Sequence, residues 1–287
     1  MLKLTFLGTS GSTPTIERGM PSIALKYDRE LMLFDCGEGT QRQLMKYKVG
    51  YGSVDSIFIS HPHLDHYLGM YGLLETLRLS SPSPRPLNLF LPRNVEPRDY
   101  SFIKTHGIRK GVVYKGTGFS ISAFPVKHCN SAYGFVFQED DRLKFDEKKA
   151  HGLGLKGRMF AEIQKKGQVK TPGGIVNIDE ITWTKPGIKI VYGGDCTPDA
   201  VSMEAAKNAD ILIHEATFDS SLKEEAKERL HSTVEDAALV AKEVNVKQLI
   251  LTHISPRYSD ISDLLASARN IFDNTIIAQD GLVIEVK

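Results

Sequence analysis

The sequence predicts an α/β protein in which two β-sheets pack face to face and helices cover their outer surfaces. Three observations lead to this fold class. The first half of the chain is rich in short apolar runs, the second half alternates such runs with helical patterns, and a basic insertion at residues 142–180 separates them. Layered sheets with outer helices bury one face of every such element. At 287 residues we expect a single domain over residues 1–287, interrupted by that insertion.

The first half is predicted to be mostly β-strand. Glycine-rich turns at residues 8–12 and 37–39 separate runs of β-branched and aliphatic residues. The predicted strands are 2–7, 22–27, 31–35, 54–59, 87–91, 119–127 and 133–138. Helical spacing of apolar residues predicts one helix over residues 68–79, and the proline-rich segment 80–86 ends it.

The second half alternates predicted strands and helices. The strands are 188–192, 209–213 and 248–252, and the helices are 197–207, 220–230, 233–244 and 261–272. The segment Ser232-Thr233-Val234-Glu235 resembles a capping box, which places His231 just outside the start of a helix.

Residues 142–180 differ from the rest of the chain. Periodicity fades and glycines accumulate there, so no regular element is predicted. Residues 142–170 contain nine Lys or Arg and three Asp or Glu, a surplus of six positive charges. Charge runs are usually solvated surface, but a long insertion without structure is uncommon in a compact domain and often functional. A basic, flexible arm of this kind would suit binding along a phosphate backbone.

Composition restricts the class of protein. The chain is 41% hydrophobic and 25% charged, which is ordinary for a globular enzyme, and its net charge of +1 does not by itself indicate a nucleic-acid partner. The three cysteines show no paired spacing, which argues against a disulfide framework and for a reducing compartment. No stretch approaches the roughly 20 apolar residues of a membrane span, and the N-terminus lacks signal-peptide features. We therefore expect a cytoplasmic protein that does not associate with membranes.

The segment Ser60-His61-Pro62-His63-Leu64-Asp65-His66 is the most informative motif. It places three imidazoles and a carboxylate directly after a predicted strand, and both groups are ligands of catalytic zinc and related metals. Four ligands in one short turn do not fit a single tetrahedral ion without strain, but two neighbouring ions can share them. The alternative interpretation is a histidine-rich surface loop.

Further polar residues of ligand type follow other predicted strands: His128, Asp195, His214, Glu215 and His253. Function concentrates on loops at strand ends because a rigid sheet can direct them to one point. One histidine after a strand is usually structural, but repetition at five strand ends predicts a shared site. Cys129 and Cys196 lie beside two of these residues. We interpret them as small buried residues because neither belongs to a C-x-x-C pair.

The motif His61-x-His63-x-Asp65-His66, with the later His128, Asp195 and His253, resembles the metallo-β-lactamase superfamily. Within it, nearly the whole chain resembles the tRNase Z (ribonuclease Z) family. The match includes residues 34–41, 214–218, 231–233 and 251–258. Of these, the His-Glu-Ala-Thr segment at 214–217 and the His-Ser-Thr segment at 231–233 are more specific to that family. The resemblance implies a four-layer αββα sandwich. It also implies an endoribonuclease that removes the 3′ trailer from precursor tRNA, leaving a 3′-hydroxyl on the tRNA and a 5′-phosphate on the trailer.

The resemblance also implies a division of the metal ligands between two zinc ions. One ion is bound by His61, His63 and His128, the other by Asp65, His66 and His253, and Asp195 bridges them. Manganese and iron also accept this set of ligands. Two ions at about 3.5–4 Å can lower the pKa of a bridging water and stabilise the attacking and leaving oxygens.

Three residues have expected catalytic roles. Asp65 accepts the proton of the attacking water, while Glu215 and His231 form a dyad that protonates the leaving 3′ oxygen. The alternative for His231 is a helix-start residue without chemistry. His214 is expected to be a structural neighbour of the site. Arg257 is a candidate phosphate contact, with a plain surface arginine as its alternative.

In the tRNase Z family an arm projects at the position of residues 142–180 and grips the body of the tRNA. It is thought to serve the partner subunit of a homodimer, so the resemblance implies a homodimer here. The candidate RNA contacts in the arm are Lys156, Arg158, Lys165 and Lys166. This chain has Gly157-Arg158 where the family often has Gly-Pro.

Three other functions compete with this prediction. A metallo-phosphodiesterase acting on small or cyclic nucleotides would use the same metals but would have little use for a basic arm. A non-catalytic RNA-binding module would not require an intact dinuclear site. A lactamase or thioesterase would explain neither the arm nor the Glu215–His231 pair.

Overall fold

The computed structural model describes residues 2–286. The strands of this part of the chain are β1 (Leu2–Gly8), β2 (Ser22–Tyr27), β3 (Glu30–Phe34), β4 (Ser56–Phe58), β5 (Leu87–Leu91), β6 (Ile103–Gly107), β7 (Gly111–Gly116), β8 (Phe119–Pro125), β9 (Tyr133–Glu139), β10 (Arg142–Phe145), β11 (Gln168–Thr171), β12 (Gly174–Asn177), β13 (Thr182–Lys185), β14 (Lys189–Tyr192), β15 (Ile211–Glu215), β16 (Gln248–Thr252), β17 (Thr275–Ile277) and β18 (Val283–Val286).

Helices connect these strands. The α-helices are α1 (Thr40–Lys46), α2 (Leu64–Ser80), α3 (Glu147–Gly152), α4 (Met159–Lys166), α5 (Ala200–Ala206), α6 (Lys223–Glu228), α7 (Val234–Glu243) and α8 (Ser262–Ile271). Short 3₁₀ helices cover Tyr51–Ser53, Ile178–Glu180 and Ser220–Leu222. None of the helices between residues 2 and 286 is long and apolar enough to cross a bilayer.

Two seven-stranded sheets form the centre of the larger of two compact units. The first sheet has the order β18-β1-β2-β3-β4-β5-β6, and the second has the order β17-β16-β15-β14-β9-β8-β7. The other compact unit is the insertion Gln138–Ile188.

Aromatic side chains from both sheets fill the space between them. Phe34 of β3 stacks on Phe135 of β9, with 5.6 Å between ring centroids, and on Tyr192 of β14 at 5.9 Å. Phe58 of β4 lies edge-on to Phe135 at 5.6 Å. Because the rings in each pair come from different sheets, the two sheets pack face to face. Each such pair contributes about 0.5–1.5 kcal/mol beyond the burial of its surface.

Helices cover the outer face of each sheet. Met70 of α2 belongs to a buried cluster with Ile57 of the first sheet. Ala237 of α7 and Ala268 of α8 belong to another with Leu249 of the second sheet. Each sheet is therefore buried on both sides, which explains why its strands appear in the sequence as nearly continuous apolar runs. The four-layer αββα fold predicted from the sequence is confirmed.

The carboxyl ends of the parallel strands of both sheets meet at one edge of the sandwich. Strands β3, β4 and β5 are parallel, as are β14, β15, β16 and β17, so within each group the carboxyl ends lie at the same edge. The amide of Tyr133, at the start of β9, donates to the carbonyl of Ser60 at 2.9 Å. The loop after β4 of the first sheet therefore meets the second sheet, and polar residues of both sheets face each other there.

Several predicted boundaries shift in the structure. Helix α2 begins at Leu64 instead of residue 68, and the predicted helix 220–230 is divided into Ser220–Leu222 and α6. Helix α1 was not predicted, because its seven residues bury only Thr40 and Leu44. The predicted capping box is wrong by one position. Thr233 caps α7 with Asp236, while the Ser232 hydroxyl donates to the carbonyl of Cys196 at 2.6 Å.

The insertion Gln138–Ile188 has regular structure, which the sequence did not predict. Strand β10 pairs with β13, β11 pairs with β12, and α3 and α4 pack with them around a small buried core. Its buried side chains are Ala150, Leu155, Ile163, Val169, Val176 and Ile181. These elements are four to eight residues long. Each is too short to show a recognisable period, and the core forms only when all of them meet.

Candidate metal centre

The histidine-rich motif occupies a loop and the first turn of a helix. His61 lies in the loop after β4, His63 is the N-cap residue of α2, and Asp65 and His66 are in the first turn of that helix. A carboxylate in a first helical turn is stabilised by the helix dipole. The helix start turns His66 inward, where it is fully buried, while Asp65 remains partly exposed.

Three imidazoles form a first group of possible ligands. The Nδ1 atom of His63 lies 3.0 Å from Nε2 of His61 and 3.1 Å from Nε2 of His128. Their ring planes are nearly perpendicular to one another, with interplanar angles of 80°, 85° and 82°. This arrangement presents one nitrogen of each ring to a common point.

Asp65, His66 and His253 form a second group. Oδ2 of Asp65 lies 3.6 Å from Nε2 of His66 and 3.6 Å from Nε2 of His253. The amide of Ser12 donates to the same oxygen at 3.1 Å and holds the carboxylate in place.

Asp195 lies between the two groups. Its Oδ2 atom is 3.2 Å from Nε2 of His253 and 3.4 Å from Nε2 of His66. The same oxygen is 3.8 Å from Nε2 of His61 and 3.9 Å from Nε2 of His128. One carboxylate oxygen within reach of ligand atoms from both groups has the geometry of a bridge.

These side chains fit divalent cations. Ligand atoms on a tetrahedral zinc ion, with Zn–N near 2.05 Å, are separated by about 3.3 Å, and the distances within and between the groups run from 3.0 to 3.9 Å. The buried Nε2 atoms of His66 and His253 have no hydrogen-bond partner. An unsatisfied buried polar atom costs about 1–3 kcal/mol, and a cation would remove that cost. The structure thus brings all seven predicted ligands together, and metal binding by each remains a prediction.

The second nitrogen of four ligand imidazoles is bound by a neighbour. Nδ1 of His66 donates to Oδ2 of Asp35 at 2.8 Å, and Nδ1 of His128 donates to the carbonyl of Leu230 at 3.0 Å. The hydroxyl of Ser60 donates to Asp35, so its oxygen accepts from Nδ1 of His61. In the same way, the hydroxyl of Thr217 donates to Glu215, and its oxygen accepts from Nδ1 of His253. With Nδ1 held in this way, each of the four rings directs its Nε2 atom at the site, and the deprotonated form of that atom is the one that binds metal.

Asp35 is a positioning residue that the sequence analysis did not assign. It is fully buried, and its Oδ2 accepts from the hydroxyl of Ser60 at 2.8 Å, from His66 and from the hydroxyl of Tyr192 at 2.6 Å. Its Oδ1 accepts from the amide of Ser60 at 2.7 Å. Asp35 follows a strand, as the predicted ligands do, so the same strand-end pattern could have identified it.

Replacing Asp35 with asparagine is expected to weaken metal binding about 10- to 100-fold, because an amide cannot accept all of these hydrogen bonds. Competition with a coloured chelator measures the affinity, and circular dichroism tests whether the fold is retained. Asp273, an exposed carboxylate outside the site, provides the matched control as Asp273→Asn. Unchanged affinity in Asp35→Asn would show that Asp35 does not position the ligands.

Glu215 and His231 form a close pair beside the predicted ligands. Nδ1 of His231 donates to Oε1 of Glu215 at 2.7 Å, and Glu215 also accepts from the amide of Cys196 and the hydroxyl of Thr217. Burial lowers the pKa of His231, but the negative charge of Glu215 and its hydrogen bond outweigh burial and raise it to about 9. The imidazole is therefore protonated at neutral pH, and its Nε2 is the nitrogen free to donate a proton.

The two acidic groups at the centre are ionised. Burial acts to raise the pKa of Asp195, but the adjacent imidazoles of His253 and His66 hold it well below its usual range. Burial likewise acts to raise the pKa of Asp65, but the interactions of this carboxylate with His253 and His66 outweigh burial and lower it. Both carboxylates are thus in the form that binds cations.

Other singled-out residues lie at the edge of the site. His214 is buried, and its Nδ1 donates to the carbonyl of Glu215 at 2.7 Å, as expected for a structural neighbour. Burial raises the pKa of the Cys196 thiol well above its usual value, so it stays protonated and is a poor ligand. Arg257 stacks over the ring of Phe218 at 4.9 Å and lies 3.4 Å from Glu225. A contact between Arg257 and phosphate stays a prediction.

The four predicted arm cations lie on the surface of the insertion. Lys156 and Arg158 are exposed in the connection between α3 and α4, and Lys165 and Lys166 are exposed in the last turn of α4. Lys166 pairs with Glu162 at 2.7 Å. Gly157, which precedes Arg158, has φ of +50°, a conformation that glycine adopts easily.

The αββα sandwich and the histidine–aspartate cluster at its strand ends define a hydrolase of the metallo-β-lactamase class. A family profile described as beta-lactamase superfamily domain matches residues 152–254, and one described as anti-Pycsar protein Apyc1 matches residues 2–98.

More specific relatives identify the family. The chain is 43% identical to a ribonuclease Z of Archaeoglobus fulgidus, with 100% of this chain and 98% of the relative covered. It is 38% identical to a ribonuclease Z of Methanosarcina acetivorans, with the same coverage. The crystal structure of human tRNase Z, short form, superimposes with a TM-score of 0.69 at 27% identity and covers 99% of each chain. The chain belongs to the ribonuclease Z family.

Proposed function

We propose that this protein is a metal-dependent endoribonuclease that removes the 3′ trailer from precursor tRNA. The observation that supports this most directly is the combination of two ligand groups around Asp195 with His231 hydrogen-bonded to Glu215 beside them. This combination provides for both halves of a phosphodiester hydrolysis, activation of water and protonation of the leaving oxygen. Membership of the ribonuclease Z family supplies the substrate.

The proposed cofactor is a pair of zinc ions per subunit, with manganese or iron as chemically acceptable replacements. His61, His63 and His128 would hold one ion, Asp65, His66 and His253 the other, and Asp195 both. When bound, the ions would supply an activated water and neutralise the charge that develops on the phosphate.

The protein's own residues complete the reaction. The ionised carboxylate of Asp65 accepts the proton of the attacking water, and the Ser12 amide fixes its orientation. As the bond from phosphorus to the 3′ oxygen breaks, Nε2 of His231 gives its proton to that oxygen, and Glu215 stabilises the imidazolium beforehand. The products are a tRNA with a 3′-hydroxyl and a trailer with a 5′-phosphate.

The remaining parts of the proposal concern binding and assembly. The insertion, including the predicted arm 142–180, would bind the body of the tRNA, with Lys156, Arg158, Lys165 and Lys166 as phosphate contacts. Arg257 would contact phosphate nearer the cleaved bond. A homodimer and a cytoplasmic location complete the proposal, because the family resemblance implies the dimer and the cysteine pattern favours a reducing compartment.

Cleavage of a precursor tRNA tests the function directly. Purified protein is incubated with a 3′-extended precursor, and both products are mapped to the nucleotide. We expect one cut that leaves a 3′-hydroxyl, loss of cleavage with a chelator, and its return when zinc is added back. Full activity in metal-stripped protein, or no cleavage of any precursor by zinc-loaded protein, would contradict the proposal.

Removing the insertion distinguishes the tRNA enzyme from a small-nucleotide phosphodiesterase. Deleting residues 142–185 links Asp141 directly to Pro186. The two cut points lie close together, because the amide of Gly187 donates to the carboxylate of Asp141 at 2.8 Å. We expect KM for precursor tRNA to rise on the order of 10²-fold, since the arm's cations no longer bind phosphates. Hydrolysis of a small chromogenic phosphodiester should be retained. Equal effects on both substrates would favour the phosphodiesterase.

A further inference from the structure

The insertion Gln138–Ile188 exposes the chain's only tryptophan. Trp183 lies on β13, and the residue is 52% exposed to solvent. Within the described residues, the indole has no aromatic partner and no cation stacked on it. Tryptophan is usually well buried, because its large apolar surface is costly to leave in water. An indole that the fold itself leaves uncovered is therefore a candidate contact for another molecule.

The pairing of β10 with β13 places positive charge beside this indole. The register is antiparallel, with Lys144 opposite Trp183 and Arg142 opposite Lys185. Directly opposed residues share a face of the sheet, and alternate residues along a strand do so too. Arg142, Lys144, Trp183 and Lys185 therefore lie on one face, and all four are exposed. We refer to these four residues as the Trp183 face.

The opposite face of the same two strands has a different character. It carries Leu143, Phe145, Thr182 and Thr184, and Phe145 packs against the small core of the insertion. The eight residues of the two strands include three basic side chains and no acidic one. Arg142 is bound to the carboxylate of Glu139. Lys144 and Lys185 thus provide most of the positive charge around Trp183.

We propose that the Trp183 face binds an unpaired RNA nucleotide, with the base stacked on the indole and the adjoining phosphates on Lys144 and Lys185. Any base has a π-face that can stack on an aromatic side chain, and nearby cations hold the backbone. None of its four residues is among the arm cations predicted from sequence. It rests on the proposed function, since it assigns a contact to the same substrate class.

The chemistry of the Trp183 face favours RNA over an anionic membrane surface. A membrane-binding patch needs several apolar side chains that enter the lipid, whereas this face offers a single indole among cations. A double-stranded RNA stem conceals its bases and is bound mainly through shape, phosphates and 2′-hydroxyls. The exposed aromatic is therefore matched to a nucleotide in a loop or a single-stranded tail.

The single tryptophan makes the test direct, because all intrinsic tryptophan emission of the full-length protein comes from residue 183. The zinc-loaded protein is titrated with a single-stranded oligouridylate, a duplex RNA of equal length, a tRNA without trailer, and vesicles of anionic phospholipid. We expect the oligouridylate and the tRNA to quench the emission and to protect it from acrylamide. The duplex should produce little quenching at equal occupancy, and the vesicles none.

Variants separate stacking from charge. Trp183→Ala is expected to weaken binding of labelled oligouridylate about 5- to 150-fold, the range for a lost stacking aromatic, and Trp183→Phe should recover most of it. Lys144→Ala and Lys185→Ala should each reduce the slope of log K against log salt by about 0.7, while Trp183→Ala leaves that slope unchanged. Leu143→Ala, an exposed apolar residue of the opposite face, is the matched control and should bind normally.

The outcomes also separate this surface from the catalytic proposal. The proposal that the Trp183 face binds RNA would be overturned by unchanged emission on RNA binding, by normal affinity in Trp183→Ala, or by a response to vesicles alone. If precursor tRNA is cleaved normally under those results, the proposed function stands without it. If RNA quenches Trp183 but no precursor is cleaved, the surface stands and the proposed function fails.

Discussion

Replacing Asp195 with alanine is expected to remove both metal ions and to reduce precursor cleavage on the order of 10³-fold or more. Its Oδ2 atom lies within 3.9 Å of nitrogens from both ligand groups, which makes it the proposed bridge between the two ions. Metal ions at such sites contribute several kcal/mol of charge stabilisation, and each 1.36 kcal/mol corresponds to a factor of ten in rate. Metal content by mass spectrometry and single-turnover cleavage measure the two effects.

Controls separate loss of metal from loss of fold. Asp273→Ala changes an exposed carboxylate outside the site and should retain two ions per chain and normal activity. Circular dichroism of Asp195→Ala should match the wild-type spectrum, because the surrounding sheets do not depend on this side chain. An Asp195→Ala protein that keeps two ions and full activity would show that the bridge is wrongly assigned.

Replacing His231 with alanine is expected to lower kcat for precursor tRNA about 10²- to 10⁴-fold, the usual contribution of a positioned general acid. Glu215→Gln should produce a similar loss, because it removes the charge that raises the pKa of His231 to about 9. The double variant should be little worse than either single variant, since the two residues act as one unit. Rapid-quench kinetics at saturating substrate measure kcat for each protein.

The leaving group provides the internal control for this dyad. A p-nitrophenyl phosphodiester releases a stable phenolate that needs no proton, so His231→Ala should hydrolyse it nearly as fast as wild type. His106→Gln, a change at a half-buried histidine on β6 outside the ligand cluster, should affect neither substrate. Equal losses on both substrates would assign His231 a structural role at the start of α7 instead of proton donation.

Much of the fold was predictable because both sheets are buried on two sides. Strands β2, β5 and β16 have the predicted bounds, since each is a short run of mostly apolar residues. Short elements were not predictable in the same way. Helix α1 buries two residues, and the strands of the insertion have four residues each, so local pattern is too weak to indicate them.

The candidate site likewise has a part that the sequence predicts and a part that only the structure reveals. The clustered histidines after β4 indicate metal by residue type alone, and the structure places His128 and His253 beside them. The roles of Asp35, Ser60 and Thr217 depend on hydrogen bonds between residues that are distant in sequence, such as the pair Asp35 and His66. A motif contains no information about which nitrogen of a ring is bound by a neighbour, and that choice sets the atom left for the metal.

The sequence by itself predicted two packed sheets with outer helices and a histidine–aspartate cluster at strand ends, because apolar periodicity and residue chemistry are local properties. Its resemblance to the tRNase Z family implied the seven candidate ligands and the Glu215–His231 dyad. Only the tertiary structure decided that Oδ2 of Asp195 lies between two ligand groups, that Asp35 orients His66, and that Trp183 shares a face with Lys144. Each of these depends on strand register and sheet packing. These in turn arise from the burial of the whole core, so no single segment of the chain specifies them.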